Sequence, residues 1–359
     1  INFKAFWISP LWLMPISAIK NVDDLVNFWK KFMNKYNIQK KLEGPIFSII
    51  TPFNKSENID YPALKKYLRY LYSKGAKNFY VMAYNSRLTL LTEKEIINLN
   101  LFCIQEVKKL NKENVIICAE PYHCSTEQSI KYVNYFKKKG ADIVSLIFGE
   151  KYYSNNQLYN HFKKVHDKTN CFLLLHQQIL ENGISSNPYF VYYPLSVLEN
   201  ISKLSRFVAM KEDAKNDTYT KKICKSVSNR MVIITSGGGK RQWLKAAKYG
   251  CTSWLSGVSN LNPKIALDFY DYYKSNNIQK MNAIINYIED PFFKIKDQYG
   301  WHLTIKSFLE INNNFKRYER SPLKETNKNE MLRCKKIFEY LKKQIKLKKL
   351  NEYLSWLQL

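Results

Sequence analysis

Short apolar runs alternate with longer amphipathic stretches along most of this chain, from residue 44 onward. Short apolar runs are typical of buried strands, whereas apolar residues repeating at i, i+3 and i+4 indicate helices. The alternation predicts strand-helix units around a parallel sheet, and eight such units predict a closed (β/α)8 TIM barrel. The predicted strands are 46–51, 78–82, 115–119, 142–148, 171–176, 207–211, 231–235 and 251–256.

Helical spacing is clearest at 61–74, 94–110, 126–139, 157–168 and 240–249, and Gly75 and Gly140 provide glycine stops after two of these patterns. Beyond the eighth unit, residues 263–276 and then 278–348 keep a helical pattern without a strand signal. We therefore predict three parts. They are an N-terminal extension of unknown role (1–41), the barrel (42–277) and a C-terminal helical region (278–359).

The formal net charge is +27, which by itself favours a nucleic-acid or membrane partner. The lysines, however, are spread along the chain among Asn and Ile residues, with no Arg-rich block or zinc-finger spacing, which is typical of solvated helix faces. Lys4, Pro10 and Pro15 interrupt the apolar residues 1–19, so no membrane span is predicted there. We expect neither nucleic acid nor membrane as a partner.

Seven cysteines form no Cys-x-x-Cys motif, and three of them lie inside apolar runs. This usage predicts reduced core thiols in a cytoplasmic protein. The five histidines are scattered, so no metal site is predicted, and the glycines before Lys240 do not form a Walker loop.

In a barrel of this kind the active site lies at the C-terminal ends of the strands. That rule selects Thr51, 84–87, Glu120, Glu150, His176, Lys211, Ser236 and Gly257. Lys211 ends the sixth apolar run, directly before Glu212 and Asp213. In isolation such a lysine usually marks a buried strand that meets solvent, but at the mouth of an apolar barrel desolvation would lower its pKa, which makes it a candidate amine nucleophile.

Seven segments carry a resemblance to a known family: 44–53 (GPIFSIITPF), 91–95 (LTEKE), 158–162 (LYNHF), 208–212 (VAMKE), 236–239 (SGGG), 256–260 (SGVSN) and 320–323 (RSPL). On these segments the chain resembles, from about Gly44 to Tyr340, the dihydrodipicolinate synthase and N-acetylneuraminate lyase family. The resemblance implies a lyase, aldolase or dehydratase in which Lys211 forms an imine with pyruvate or another 2-oxo acid, sugar-derived acids included. It also implies no cofactor beyond that imine, and a homodimer or homotetramer.

The family's substrate-carboxylate motif, Gly-Thr-Thr-Gly-Glu, is altered here to Ala83-Tyr84-Asn85-Ser86-Arg87. The resemblance nevertheless assigns substrate binding to Tyr84, Asn85, Ser86 and Arg87, together with Thr51, Ser236 and Gly257. Two interpretations of Arg87 stay open. It either clamps an acidic substrate through two hydrogen bonds or forms a structural ion pair.

The family's proton-relay tyrosine follows strand four, where this chain has Phe148-Gly149-Glu150-Lys151-Tyr152-Tyr153. An ungapped alignment places Glu150 there, a small shift places Tyr152 or Tyr153, and Tyr84 offers another phenol. Glu150 is either a buried acid-base group or a solvated loop residue. His176 stands where the family has Tyr-Asn, and it either shuttles protons or serves a structural role. The insertion 179–193 is a candidate substrate-selecting lid.

Two functions from different classes follow. The leading hypothesis is a Schiff-base lyase, and the altered motifs motivate the alternative of a catalytically silent or repurposed barrel that binds a small acid or a protein partner.

Overall fold

The computed structural model of the protein describes residues 22–82, 84–121, 124–147, 154–177 and 192–347. The predicted (β/α)8 barrel is confirmed, because eight parallel strands pair in chain order and the last pairs with the first. The strands are β1 (Gly44–Ser48), β2 (Asn78–Tyr80), β3 (Val115–Ala119), β4 (Ile143–Ile147), β5 (Phe172–Gln177), β6 (Phe207–Glu212), β7 (Val232–Thr235) and β8 (Ser253–Leu255).

Several predicted strand ends were wrong by one to three residues. β1 starts at Gly44, because this residue pairs with Ser253 of β8, and it ends at Ser48 where the chain leaves the ladder. β5 and β6 each run one residue further than predicted, because Gln177 still pairs with Glu212. Thr51 therefore lies in a loop, whereas the predicted ends of β5 and β6 remain inside the sheet.

Thirteen α-helices lie within the described part of the chain. They are α1 (Val22–Lys41), α2 (Tyr61–Ser73), α3 (Glu93–Leu110), α4 (Thr126–Lys138), α5 (Asn155–Lys168), α6 (Leu195–Ser202), α7 (Asp217–Val227), α8 (Gly239–Ala247), α9 (Pro263–Lys274), α10 (Ile278–Ile284), α11 (Asp290–Tyr299), α12 (Trp301–Ile311) and α13 (Lys328–Leu347). The glycine stops are present, since Gly75 and Gly140 adopt φ of 98° and 103° directly after α2 and α4.

Helix α1 closes the N-terminal end of the barrel, a role that the sequence left open. Ile38 and Leu42 belong to the same buried cluster as the residues inside the barrel. The Gln39 side chain donates to the carbonyl oxygens of Val208 at 3.1 Å and Arg230 at 2.9 Å. Because these contacts reach β6 and the approach to β7, α1 is packed as part of the barrel.

The helical pattern predicted for 278–348 is present as several helices, and one segment between them is not helical. Residues 312–327 leave the helical conformation and connect α12 to α13. Asn313 adopts a left-handed φ of 53°, which ends α12, and Pro322 lacks the N–H that a helix interior requires. This connection returns Glu319 to the rim of the barrel.

A buried ion cluster joins that connection to the loop after β2. Glu319 accepts a hydrogen bond from Arg87 at 2.9 Å and lies 3.1 Å from the ammonium of Lys306 in α12. The side chains of Glu319 and Lys306 are fully buried, and burial lowers the pKa of Lys306 to about 8. Two cations thus share one buried carboxylate, which fixes the C-terminal region to the barrel.

All seven cysteines are buried and carry free thiols. In the described ranges, no helix combines the length and the apolar character that crossing a bilayer requires. Residues 1–21 lie outside these ranges.

We expect Glu319→Gln to lower the free energy of unfolding by about 3 to 5 kcal/mol, because it leaves Arg87 and Lys306 buried without a counter-charge. Urea unfolding at neutral pH measures this change. Glu339→Gln is the matched control, because Glu339 pairs with Lys342 at 3.0 Å with 62% of its side chain exposed. It should cost less than about 1 kcal/mol. Equal losses in the two variants would contradict the proposed importance of the cluster.

Candidate functional site

Lys211 is the centre of a polar cluster at the C-terminal end of the barrel. Its side chain is fully buried, and its Nζ lies 2.6 Å from Asp213 Oδ2 and 2.7 Å from His176 Nε2. Asp213 follows Lys211 by two residues, so the strand period directs both side chains to the inner face. Two of the three ammonium hydrogens are therefore directed at these neighbours.

Neighbouring strands supply the other members of the cluster. His176 of β5 is the register partner of Lys211 in β6. Ser236, which follows β7, donates a hydrogen bond of 2.7 Å to Asp213 Oδ1. The structure thus brings together three residues selected from the sequence and adds Asp213. We call Lys211, His176, Asp213 and Ser236 the lysine cluster.

Burial and pairing determine the protonation of this cluster. Burial lowers the pKa of Lys211, although the charge of Asp213 and its hydrogen bond oppose this effect. Burial, followed by the charge of Lys211, lowers the pKa of His176 to about 4, so its imidazole is neutral at neutral pH. For Asp213, burial acts to raise the pKa, but the charges of Lys211 and His176 and the hydrogen bonds to both residues together outweigh it and hold the pKa well below its usual range. The cluster thus contains an amine with a lowered pKa beside an ionised carboxylate.

Three residues predicted to bind substrate use their side-chain donors within the protein. Thr51 Oγ1 donates to the carbonyl oxygen of Ser86, and Ser86 Oγ donates to that of Ile49, both at 2.8 Å. Asn85 Nδ2 donates to Ser48 Oγ at 2.6 Å. These bonds fasten the loop after β2 to the end of β1, and the predicted role of the three residues in substrate binding stays a prediction.

Tyr84 and Arg87 contact the C-terminal region. Tyr84 is 59% exposed, its ring centroid lies 4.5 Å from that of His302, and its carbonyl oxygen accepts a 2.9 Å hydrogen bond from His302 Nε2. Arg87 adopts a left-handed φ of 59° and pairs with Glu319. Of the two interpretations of Arg87, this contact corresponds to the structural ion pair.

Gly257 provides room for α12 at the rim. A Cβ atom at this position would lie 2.6 Å from the indole of Trp301. The other predicted residues at the rim, Glu150 and Tyr152, fall outside the described residues, as does the candidate lid 179–193 up to residue 191. Their roles stay predictions.

Asp213 is the functional candidate that sequence reasoning missed. The signal was present, because a residue two positions after a strand-end lysine lies on the same face. Tyr80 was also missed. Its buried hydroxyl lies 2.6 Å from Ser145 Oγ inside the barrel, and burial, joined by the charge of Asp213, raises its pKa. Among the described residues, no group of three or more His, Cys, Asp or Glu side chains is arranged to hold a metal ion.

Glu120, at the end of β3, is a second buried acid near the rim. Its Oε1 accepts a 2.9 Å hydrogen bond from the backbone N–H of Ile147, which joins the ends of β3 and β4. The residue is 1% exposed, and burial raises the pKa of its carboxyl to about 8. Glu120 is thus predominantly uncharged at neutral pH.

Comparison with known proteins gives one family for nearly the whole chain. Residues 41–341 match the model of the Dihydrodipicolinate synthetase family. A 4-hydroxy-tetrahydrodipicolinate synthase of Hydrogenobaculum sp. is 25% identical over 288 residues, which cover 79% of this chain and 93% of the relative.

Solved structures show the same fold. The N-acetylneuraminate lyase of Fusobacterium nucleatum superposes with a TM-score of 0.71 at 15% identity, covering 84% of this chain and 99% of that one. YagE of E. coli K12, a prophage protein of the dihydrodipicolinic acid synthase family solved in complex with pyruvate, gives a TM-score of 0.70 at 12% identity. Here the alignment covers 84% of this chain and 98% of YagE.

Glu120→Gln should change how stability depends on pH. In the folded protein the pKa of this carboxyl is about 8, against an ordinary value of 4.5. Its contribution to the free energy of unfolding is therefore fully present below pH 4.5 and is lost as pH rises through 8. The variant cannot ionise, so its stability relative to the wild type should rise with pH by about 3 to 5 kcal/mol.

Urea unfolding of both proteins between about pH 5 and 9 measures this difference, within the range over which the raised pKa acts. Glu127→Gln is the control, because Glu127 lies on α4 with 73% of its side chain exposed. A constant difference between Glu120→Gln and the wild type at all pH values would contradict the raised pKa.

Proposed function

Because the chain belongs to the dihydrodipicolinate synthetase family, we propose that it is a Schiff-base lyase acting on pyruvate or another 2-oxo acid. The observation that carries the proposal is the position of Lys211. Its ammonium is fully buried at the end of β6, between Asp213 and His176. An amine nucleophile needs a lowered pKa, and burial lowers the pKa of Lys211.

The proposed chemistry starts with attack of Nζ on the ketone carbon of the 2-oxo acid. A C–N bond forms, water leaves, and the resulting iminium withdraws electrons from the adjacent carbon. That carbon can then form or lose a bond, which accounts for a carbon-carbon lyase, an aldolase or a dehydratase. In this proposal the covalent imine of Lys211 replaces any separate cofactor.

Several groups are proposed to serve the substrate. Neutral His176, 2.7 Å from Nζ, is proposed to exchange hydrogen bonds with substrate oxygens near the reacting carbon. Exposed Tyr84, in the loop after β2, is proposed to hold the substrate carboxylate. Glu150 or Tyr152 is proposed to relay protons, as the resemblance to the family implies.

The cellular setting is proposed from the same features. Seven free, buried thiols support a reducing compartment such as the cytoplasm. We propose a homodimer or homotetramer on family grounds, with no nucleic-acid or membrane partner.

A non-catalytic binding barrel is the second candidate. It is favoured by one observation, namely that the side-chain donors of Thr51, Asn85 and Ser86 are used within the protein. In such a barrel Lys211 would stabilise the rim and bind a small acid without forming a covalent adduct.

Borohydride reduction in the presence of pyruvate should attach one reduced adduct to Lys211, detected by intact mass and peptide mapping. Lys211→Arg keeps a cation beside Asp213 but provides no amine nucleophile, so it should form no adduct. Lys215→Ala is the control, because Lys215 lies 3.8 Å from Asp213 with 62% of its side chain exposed. It should react like the wild type.

The result that separates the two candidates concerns the wild type. A thermal shift with 2-oxo acids but no adduct with any of them would support the non-catalytic barrel. Adduct formation that persists in Lys211→Arg would place the chemistry elsewhere.

A further inference from the structure

Asp213 is the acidic group nearest to the nitrogen that we propose to react. Its Oδ2 lies 2.6 Å from Lys211 Nζ and 3.5 Å from His176 Nε2. Its side chain is 19% exposed, whereas those of Lys211 and His176 are 0% and 2% exposed. Among these three side chains, the carboxylate of Asp213 is therefore the one that contacts the buried amine and is also partly exposed at the opening of the barrel.

Two further contacts hold the carboxylate in place. Ser236 Oγ donates to Oδ1 at 2.7 Å, which leaves Oδ2 directed at the amine. The backbone N–H of Asp213 donates to the carbonyl oxygen of Gln177 at 3.2 Å, so the residue stays attached to β5 beyond the end of β6. A proton acceptor is most effective when its reacting atom is fixed within hydrogen-bond distance, and these contacts meet that condition.

We infer that Asp213 is a catalytic residue that carries protons from Lys211 Nζ to the carbonyl oxygen of the substrate. The inference rests on the proposed function and deepens it by naming the group that makes the amine reactive and assists the loss of water.

The step balances without an added reagent. Oδ2 takes one proton from the ammonium, the freed lone pair forms the C–N bond, and the electron pair of the C=O π bond moves to oxygen, which accepts that proton. A second nitrogen proton then follows the same route to the hydroxyl, the C–O bond breaks, and water leaves with its electron pair. The remaining nitrogen lone pair completes the iminium. Ammonium and ketone thus become iminium and water, and Asp213 ends ionised.

The groups around Asp213 are compatible with these two proton transfers. The titratable or polar groups that face or influence its carboxylate are Lys211, Glu212, Lys215, His176, Gln177, Ser236 and Tyr80. Lys211 keeps the carboxylate ionised, so at neutral pH it carries no proton of its own and has a free lone pair for a proton of the amine. When the iminium has formed, the same carboxylate lies beside a cation again.

Asp213→Asn distinguishes a proton carrier from a simple counter-ion. The charge of Asp213 raises the pKa of Lys211, so its loss should lower that pKa further and increase the fraction of neutral amine. A counter-ion role therefore predicts equal or faster adduct formation in the variant at neutral pH. A proton-carrier role predicts a decrease of at least about 100-fold, the usual contribution of general acid-base catalysis.

The measurement is the rate of adduct formation on the intact protein with pyruvate, at borohydride concentrations high enough for condensation to limit the rate. Asp217→Asn is the control, because Asp217 is 58% exposed and pairs with Lys245 at 2.6 Å. It should match the wild type. A rate in Asp213→Asn equal to or above that of the wild type overturns the inference. Absence of an adduct in the wild type is a different result, which contradicts the proposed function itself.

Ser236→Ala provides the test if Asp213→Asn shows no cooperative thermal unfolding. Loss of the hydrogen bond to Oδ1 makes the carboxylate more basic, so the acidic limb of the rate-pH profile should move to higher pH. An unchanged profile in this variant overturns the inference.

Discussion

Closure of the sheet between β1 and β8 is the constraint on which the rest of this molecule depends. Gly44 pairs with Ser253 across that seam, and Ser253 Oγ also donates to the carbonyl oxygen of Gly44 at 2.9 Å. Once eight parallel strands close, all their C-terminal ends meet at one rim. His176, Lys211 and Ser236 come from three successive strands or their ends, and the closed sheet brings them together.

The same rim contains charges that are costly to bury, and pairing decides what each of them does. Lys211, Lys240 and Lys306 have side chains that are at most 1% exposed, and each lies within 3.1 Å of a carboxylate oxygen. The partners of Lys240 and Lys306 are at most 4% exposed, whereas Asp213 is 19% exposed. The pairs of Lys240 and Lys306 are therefore enclosed, and they fasten the C-terminal region to the barrel. Of these three pairs, that of Lys211 has the most exposed carboxylate, as the proposed contact with a substrate requires.

Local patterns predict much of this architecture but not its long-range contacts. Short apolar runs and helical spacing predicted the barrel, and the strand-end rule selected Lys211 and His176, which are register partners. The pairing of Arg87 with Glu319 spans 232 residues and depends on the path of the non-helical segment 312–327. Nothing in the local sequence around either residue specifies that path. Helix α1 was missed for a similar reason, because its role depends on contacts with β6 rather than on its own pattern.

The charge balance at Lys211 explains how the sequence of the loop after β2 can differ from the family motif. An iminium is a cation, and a cation in a dry site needs a fixed anion nearby. For the iminium that we propose, Asp213 is that anion, whichever 2-oxo acid is the substrate. The residues of the loop are then free to serve the structure. Asn85 and Ser86 fasten the loop to β1, and Arg87 binds the C-terminal region through Glu319. A lysine nucleophile can thus keep its electrostatic partner although the motif that usually accompanies it has changed.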